Sequence, residues 1–190
     1  MSMRRAVASL ILLIVLLTGV SFAPPMQRES STVPSASSVA IDPTAWYPVM
    51  KVVDGDTISV SIDNERHNVR MIGIDTPETV DPRVAVECFG EEAAERAAQI
   101  LSGTSVRLEV DSSQGLFDTY GRILAYVFAP ANVASEGILV NELLLSEGYA
   151  HEYTFNAPYK YRAEFKAAEK TAREAKAGLW AADACAPQSP

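Results

Sequence analysis

Three short polar segments fall where strand-like patterns end or turn: Asp54-Gly55-Asp56-Thr57, then Arg70 with Asp75-Thr76-Pro77-Glu78-Thr79, then Asp118-Thr119-Tyr120-Gly121-Arg122. Taken singly, each reads as a turn that carries acids. Brought to one end of a small fold, they concentrate carboxylates whose mutual repulsion calls for a hard cation among them. Oxygen donors of this kind suit Ca²⁺ or Mg²⁺. The two arginines add a second requirement, because a guanidinium fork matches phosphate oxygens in bidentate fashion. A metal and two forks on one phosphate point to phosphodiester chemistry. With 2 cysteines and 2 histidines in 190 residues, a soft-ligand metal centre is excluded, and the acids must bear any ion.

The elements that position these segments are short. Residues 46–53 have the aromatic and β-branched content of a strand, and Asp54-Gly55 punctuates it. Residues 57–62 alternate as a second strand, Asp63-Asn64-Glu65 turn the chain, and 66–74 read as a third. Two more strands are expected over 105–110 and 123–128. Helices are expected at 90–101, where Glu91 and Glu92 open the first turn and Gly103 follows the end, and at 139–147, closed by Gly148. A third steps through Tyr161, Phe165, Ala168, Ala172 and Ala175 and stops by Gly178; its alanine-rich face suits close packing on a sheet. Its lysines are offset by Glu164, Glu169 and Glu174, so it reads as a solvated face and not a nucleic-acid patch. Five short strands with helices inserted late predict an α+β fold: a five-stranded OB-fold-like Greek-key β-barrel with three α-helices, because closing the sheet removes its edges.

Around this core the chain divides further. Arg4 and Arg5, the apolar run 6–20 and Ser21-Phe22-Ala23 make residues 1–23 an expected signal peptide, the alternative being a membrane anchor through residues 6–23. The product is then secreted or extracytoplasmic, and meets a membrane only if this segment stays uncleaved. Residues 24–45, rich in Pro and Ser, are expected to form a flexible linker, 46–182 the folded domain, and 183–190 a C-terminal tail. The 16 Lys plus Arg stand against 24 Asp plus Glu, a net charge of −8. That balance excludes a diffuse polycation on nucleic acid and leaves a focused site.

The segments VVDGDTISV, VRMIGIDTPET, DTYGRILAYV, VNELLLSEGYA and AEKTAREAKAGLW resemble, in order and spacing, the staphylococcal nuclease (thermonuclease) family over residues 46–182. The resemblance implies that Asp56 and Asp75 are calcium carboxylates and that Thr76 offers its backbone carbonyl to the ion. It makes Glu78 the acid that holds or deprotonates the attacking water, and Arg70 and Arg122 the grip on the scissile phosphate. Asp54 and Thr57 stand behind the ion, and Tyr120 touches phosphate. Tyr153 and Phe155 are the nearest counterparts of the family's two base-packing tyrosines. The implied cofactor is Ca²⁺, the implied substrates are DNA and RNA, cleaved at the 5′-oxygen to leave 3′-phosphates, and the implied state is a monomer with no obligate protein partner. A non-catalytic binding module of the same fold is the rival, and the presence of Arg70, Asp56, Asp75, Glu78 and Arg122 argues against it. Two departures bear on affinity: Thr119 stands where the family prototype has a lysine, and this domain is acidic where the prototype is basic.

Four side features complete the reading. Export and an even cysteine count predict a Cys88–Cys185 disulfide that supports stability and leaves the chemistry alone. His67 and His151 are read as strand or surface residues, and Trp180 as a core plug. Residues 79–89 are longer than packing requires, and are expected to be mobile and to shape substrate access.

Overall fold

The computed structural model describes residues 39–79, 87–131 and 137–185. The expected signal segment, residues 24–38 of the linker, the middle of the 79–89 segment and residues 186–190 lie outside the described residues. Strand β1 (Tyr47–Asp54), β2 (Thr57–Ile62) and β3 (Glu65–Met71) form an antiparallel meander. Asp63 and Asn64 both take left-handed backbone angles at the β2–β3 turn, as a two-residue hairpin turn requires. Next come β4 (Ile74–Asp75), helix α1 (Gly90–Leu101), β5 (Ser105–Glu109), β6 (Ile123–Ala129), β7 (Ile138–Leu139), α2 (Val140–Ser146), β8 (His151–Glu152), α3 (Arg162–Ala175) and a 3₁₀ turn at Gly178–Trp180. The strand order is β3-β2-β1-β5-β6-β7, and β3 pairs in parallel with β6, which closes the five long strands into a barrel. This is the expected α+β, OB-fold-like barrel with three helices.

Its interior follows from alternation. Ile58, Val60 and Ile62 of β2, Val69 and Met71 of β3, and Val106 and Leu108 of β5 point inward and are essentially unexposed. Helix α1 lays Ala93, Ala97 and Leu101, one residue per turn, against β1. Phe165 and Ala172 are the buried residues of α3, which packs chiefly on α2 and meets a sheet, as its small-residue face led one to expect, only at the short β8 and through Phe165 against Tyr126 of β6. Among the described residues no helix is long and apolar enough to cross a membrane.

The structure differs from the sequence reading in four further places. The strand expected over 66–74 breaks after Met71, because Gly73 adopts φ +81° and the Tyr159 ring lies against it, 2.6 Å from where a Cβ would be. The released β4 pairs with β8, and β8, like β7, is too short to leave a periodic signal. Ordered chain begins before residue 46: Val39, Ile41 and Ala45 pack on the core, and the Asp42 N–H donates to Tyr47 Oη at 2.8 Å. Trp180 does not enter the core; half-buried, it takes the Arg173 guanidinium on its face and makes a T-shaped contact with the His151 ring. The Cys88–Cys185 disulfide is present, across a sequence separation of 97.

Candidate active site

The Asp54–Thr57 turn joins β1 to β2 at one end of the barrel and buries two acids there. Asp54 is 5% and Asp56 6% exposed, so each must be hydrogen-bonded. Asp54 Oδ1 accepts from the Gly55 N–H at 2.9 Å and from Thr79 Oγ1 at 2.7 Å. Asp56 accepts from Thr57 Oγ1 at 2.8 Å and from the Thr76 N–H at 3.1 Å. The turn is thus stitched to 76–79, some twenty residues on.

Arg70, opposite Thr57 across the β2–β3 ladder, spans the same end. Its Nη2 lies 2.7 Å from Asp75 Oδ1 and 3.0 Å from Asp56 Oδ2, while Nη1 donates to the carbonyls of Met71 at 2.8 Å and Ile74 at 2.7 Å. The break after β3 therefore does two things at once. It turns Asp75 toward Arg70, and it offers the carbonyls that lock the guanidinium plane.

The third segment comes from the loop before β6. Asp118 accepts from the backbone N–H of Tyr120 and of Arg122, both at 2.9 Å, and from Arg122 Nε at 2.6 Å. Arg122 is aimed by this acid and lies 5.3 Å from the centre of the exposed Tyr120 ring. Asp54, Asp56, Thr57, Arg70, Asp75, Thr76, Glu78, Tyr120 and Arg122 all line one cleft of about 470 Å³, with Val53 and Asn68 completing its wall. A second cleft of about 630 Å³ shares Arg70, Asp75, Tyr120 and Arg122 with the first and is lined by Phe117, Thr119, Tyr153 and Phe155. The Tyr153 and Phe155 rings stand 6.3 Å apart. They are carried on a segment whose start is tied down by the Tyr153 N–H to Gly73 O bond of 3.0 Å and by Tyr159 Oη donating to Glu152 at 2.9 Å. The two histidines stand on strands: His67 in β3, and His151 in β8 paired with Asp75.

The charge balance of the cleft favours a cation. Burial pushes the Asp54 carboxyl above its usual range, and the neighbouring charges of Asp56 and Glu78 add to it. Asp75 also goes up, by desolvation first, which Arg70 only partly offsets. Asp118 goes the other way: desolvation alone would raise it, but the hydrogen bonds from Arg122 hold it low. Among the described residues no group of three or more His, Cys, Asp or Glu gathers closely enough to hold an ion alone. The donors at hand are nonetheless all oxygen, two of the acids are short of positive charge, and the buried Thr76 hydroxyl has no hydrogen-bond partner. This set fits a hard cation that takes part of its shell from outside the protein.

Sequence reasoning left two participants without a role. Asp118 was visible inside its motif, but its grip on Arg122 depends on the loop's closing. Glu87, which contacts the backbone of Glu78, gave no signal at all, because its partner lies nine residues away in the sequence with no motif linking the two.

Fold and site together define a small closed barrel with an acidic, arginine-flanked cleft at its strand ends, suited to a cation and a phosphate. The sequence profile described as "Staphylococcal nuclease homologue" matches residues 68–182. The chain belongs to the staphylococcal nuclease family. It is 40% identical over 134 residues to the "Thermonuclease" of Staphylococcus hyicus, covering 70% of this chain and 75% of that one. It is 35% identical over 131 residues to "Endonuclease YncB" of Bacillus subtilis (strain 168), and 37% identical over 131 residues to that strain's "SPbeta prophage-derived endonuclease YokF". Each match covers 68% of this chain but only 59% and 42% of the respective Bacillus proteins.

Proposed function

We propose that the chain is an exported, calcium-dependent nuclease that hydrolyses phosphodiester bonds of DNA and RNA at the 5′-oxygen and leaves 3′-phosphates. One observation carries this reading: Asp56, Asp75 and Glu78 line the same cleft as Arg70 and Arg122. The names of the thermonuclease and endonuclease relatives support it. Asp56, Asp75 and the Thr76 carbonyl would hold Ca²⁺, with Asp54 and Thr57 steadying them from behind. When bound, the ion supplies charge neutralisation at the phosphate and eases deprotonation of water.

The chain's own groups do the rest. Glu78 takes the proton of the attacking water as its oxygen bonds to phosphorus. Arg70 and Arg122 stabilise charge on the equatorial oxygens while the bond to the 5′-oxygen breaks. Because a guanidinium does not give up its proton, both arginines act by charge and geometry, and the leaving oxygen is protonated from solvent. Tyr120 contacts phosphate, and Tyr153 and Phe155 offer faces on which a base stacks in the second cleft. Export rests on residues 1–23, and the enzyme acts as a monomer.

The purified chain should digest denatured DNA in Ca²⁺ and stop in EGTA. Full activity in EGTA overturns the calcium assignment, and no digestion in either condition overturns the nuclease. Mass spectrometry of the secreted protein should find a start after Ala23. An N-terminus still carrying residues 6–23 makes that segment an anchor.

A further inference from the structure

Glu78 sits on a segment that is held from one side by the barrel and from the other by the residues that open α1. The Glu87 N–H donates to the Glu78 carbonyl at 2.9 Å, and the Glu78 N–H donates to Glu87 Oε2 at 3.0 Å. Both backbone groups of Glu78 are therefore engaged by one residue, the second through a charge-assisted bond to a carboxylate. Gly90 presses on the same stretch: a Cβ there would lie 2.6 Å from Thr79 Cγ2 and 3.0 Å from Pro77 O. On the opposite side Thr79 is fastened to Asp54.

Glu87 is exposed, and a lone hydrogen bond at such a place is weak and easily exchanged with water. What distinguishes it is its neighbour. Cys88 is bonded to Cys185, and the Phe89 ring lies 5.5 Å from that of Tyr149. The strap that ties the C-terminal tail to the domain is thus attached one residue from the group that grips Glu78.

We infer that Glu87 is a positioning residue for Glu78 and that the Cys88–Cys185 disulfide holds Glu87 in register, so that the bridge braces the catalytic geometry as well as the fold. The inference rests on the proposed role of Glu78 as the acid that accepts the water's proton. It departs from the sequence-based expectation of a bridge indifferent to the chemistry. The reason is geometric, since a displacement of about 1 Å in a reacting group costs as much as about 10²-fold in rate.

The test uses the full chain with a short single-stranded DNA in Ca²⁺, at a temperature where circular dichroism finds every variant folded. Glu87→Ala should lower kcat about tenfold to 10²-fold with KM nearly unchanged. Glu87→Gln should regain most of it, because an amide oxygen still accepts the Glu78 N–H. Cys88→Ser/Cys185→Ser should lower kcat in the same sense, and adding Glu87→Ala should cost less than the product of the separate losses. Amide exchange gives a readout independent of turnover: the Glu78 N–H should be protected in the wild type and exchange faster in Glu87→Ala. If Glu87→Ala does not fold, the Glu87→Gln rates and the wild-type protection of this amide decide alone.

Wild-type kcat in Glu87→Ala, or an unprotected Glu78 N–H in the wild type, overturns the role of Glu87. A cysteine-free variant that melts earlier but turns over normally overturns the role of the bridge. Glu78→Gln at full rate overturns the reading of Glu78 itself and takes this inference with it, an outcome separate from the others.

Discussion

Arg70 and Arg122 carry the same proposed duty from unlike surroundings, so their substitutions should separate activity from stability. Arg70→Ala removes a guanidinium that satisfies two carboxylates and two carbonyls. It should lower kcat about 10²- to 10³-fold and also lower unfolding free energy by about 1–3 kcal/mol, because the buried acceptors lose their donors. Arg122→Ala should show a similar kcat loss with a stability change below about 1 kcal/mol, as its one carboxylate partner is held by the loop backbone in any case. Urea titration beside single-turnover rates checks both. Asp118 adds a pH dependence. Its folded pKa lies below the unfolded value, so the stability it contributes is present above about 4 and is lost as pH falls through the lowered folded pKa. The stability gap between wild type and Asp118→Asn should therefore be wide at pH 6 and narrow toward pH 2.

At the scale of elements, the decisive feature is the break between β3 and β4. It is held open by Asn141, which donates from Nδ2 to Ile72 O and accepts from the Val127 N–H, both at 2.9 Å, and is itself fully buried. One amide on α2 thereby fixes β6 against the turn that aims Asp75 and supplies carbonyls to Arg70. Asn141→Ala leaves two buried backbone groups without partners and should cost about 2–5 kcal/mol, read as a fall in the urea midpoint. Gly73→Ala should cost about 1–3 kcal/mol, since an L side chain at φ +81° is strained and its Cβ meets the Tyr159 ring. Because Gly73 O also accepts from Tyr153 N–H, this variant should weaken substrate binding in the second cleft as well, seen as a raised KM.

The whole molecule combines an acidic net charge with a narrow cationic focus. If the phosphate contacts are essentially Arg70 and Arg122, the dependence of log kcat/KM on log salt for single-stranded DNA should have a slope of about −1.4. A slope steeper than about −4 would reveal a wide basic track that the net charge of −8 gives no reason to expect. The disulfide acts at the same scale. Closing a loop across 97 residues removes about 4–5 kcal/mol of unfolded-state entropy in the chain model. Cys88→Ser/Cys185→Ser should accordingly lower the melting temperature whatever it does to turnover. A melting temperature equal to the wild type's would mean that the unfolded chain is restrained in some other way.

What could be learned from the sequence was whatever is local. The turn Asp54–Thr57, the alternation of β2, the periodic helices and the motifs around Asp75 and Arg122 each express their physics within a dozen residues. Barrel closure was legible as well, because five short strands have few other ways to hide their edges. Tertiary structure decided the rest, where partners are far apart in the chain. It ended β3 at Met71, since Tyr159 and Asn141 reach Gly73 and Ile72 from 86 and 69 residues away, respectively. It also recruited Val39 and Ile41 to the core, placed Arg70 between Asp56 and Asp75, and set Glu87 on the backbone of Glu78. None of these has a periodic or compositional signature, for each depends on a hydrogen bond or contact whose two ends meet only after the barrel has closed.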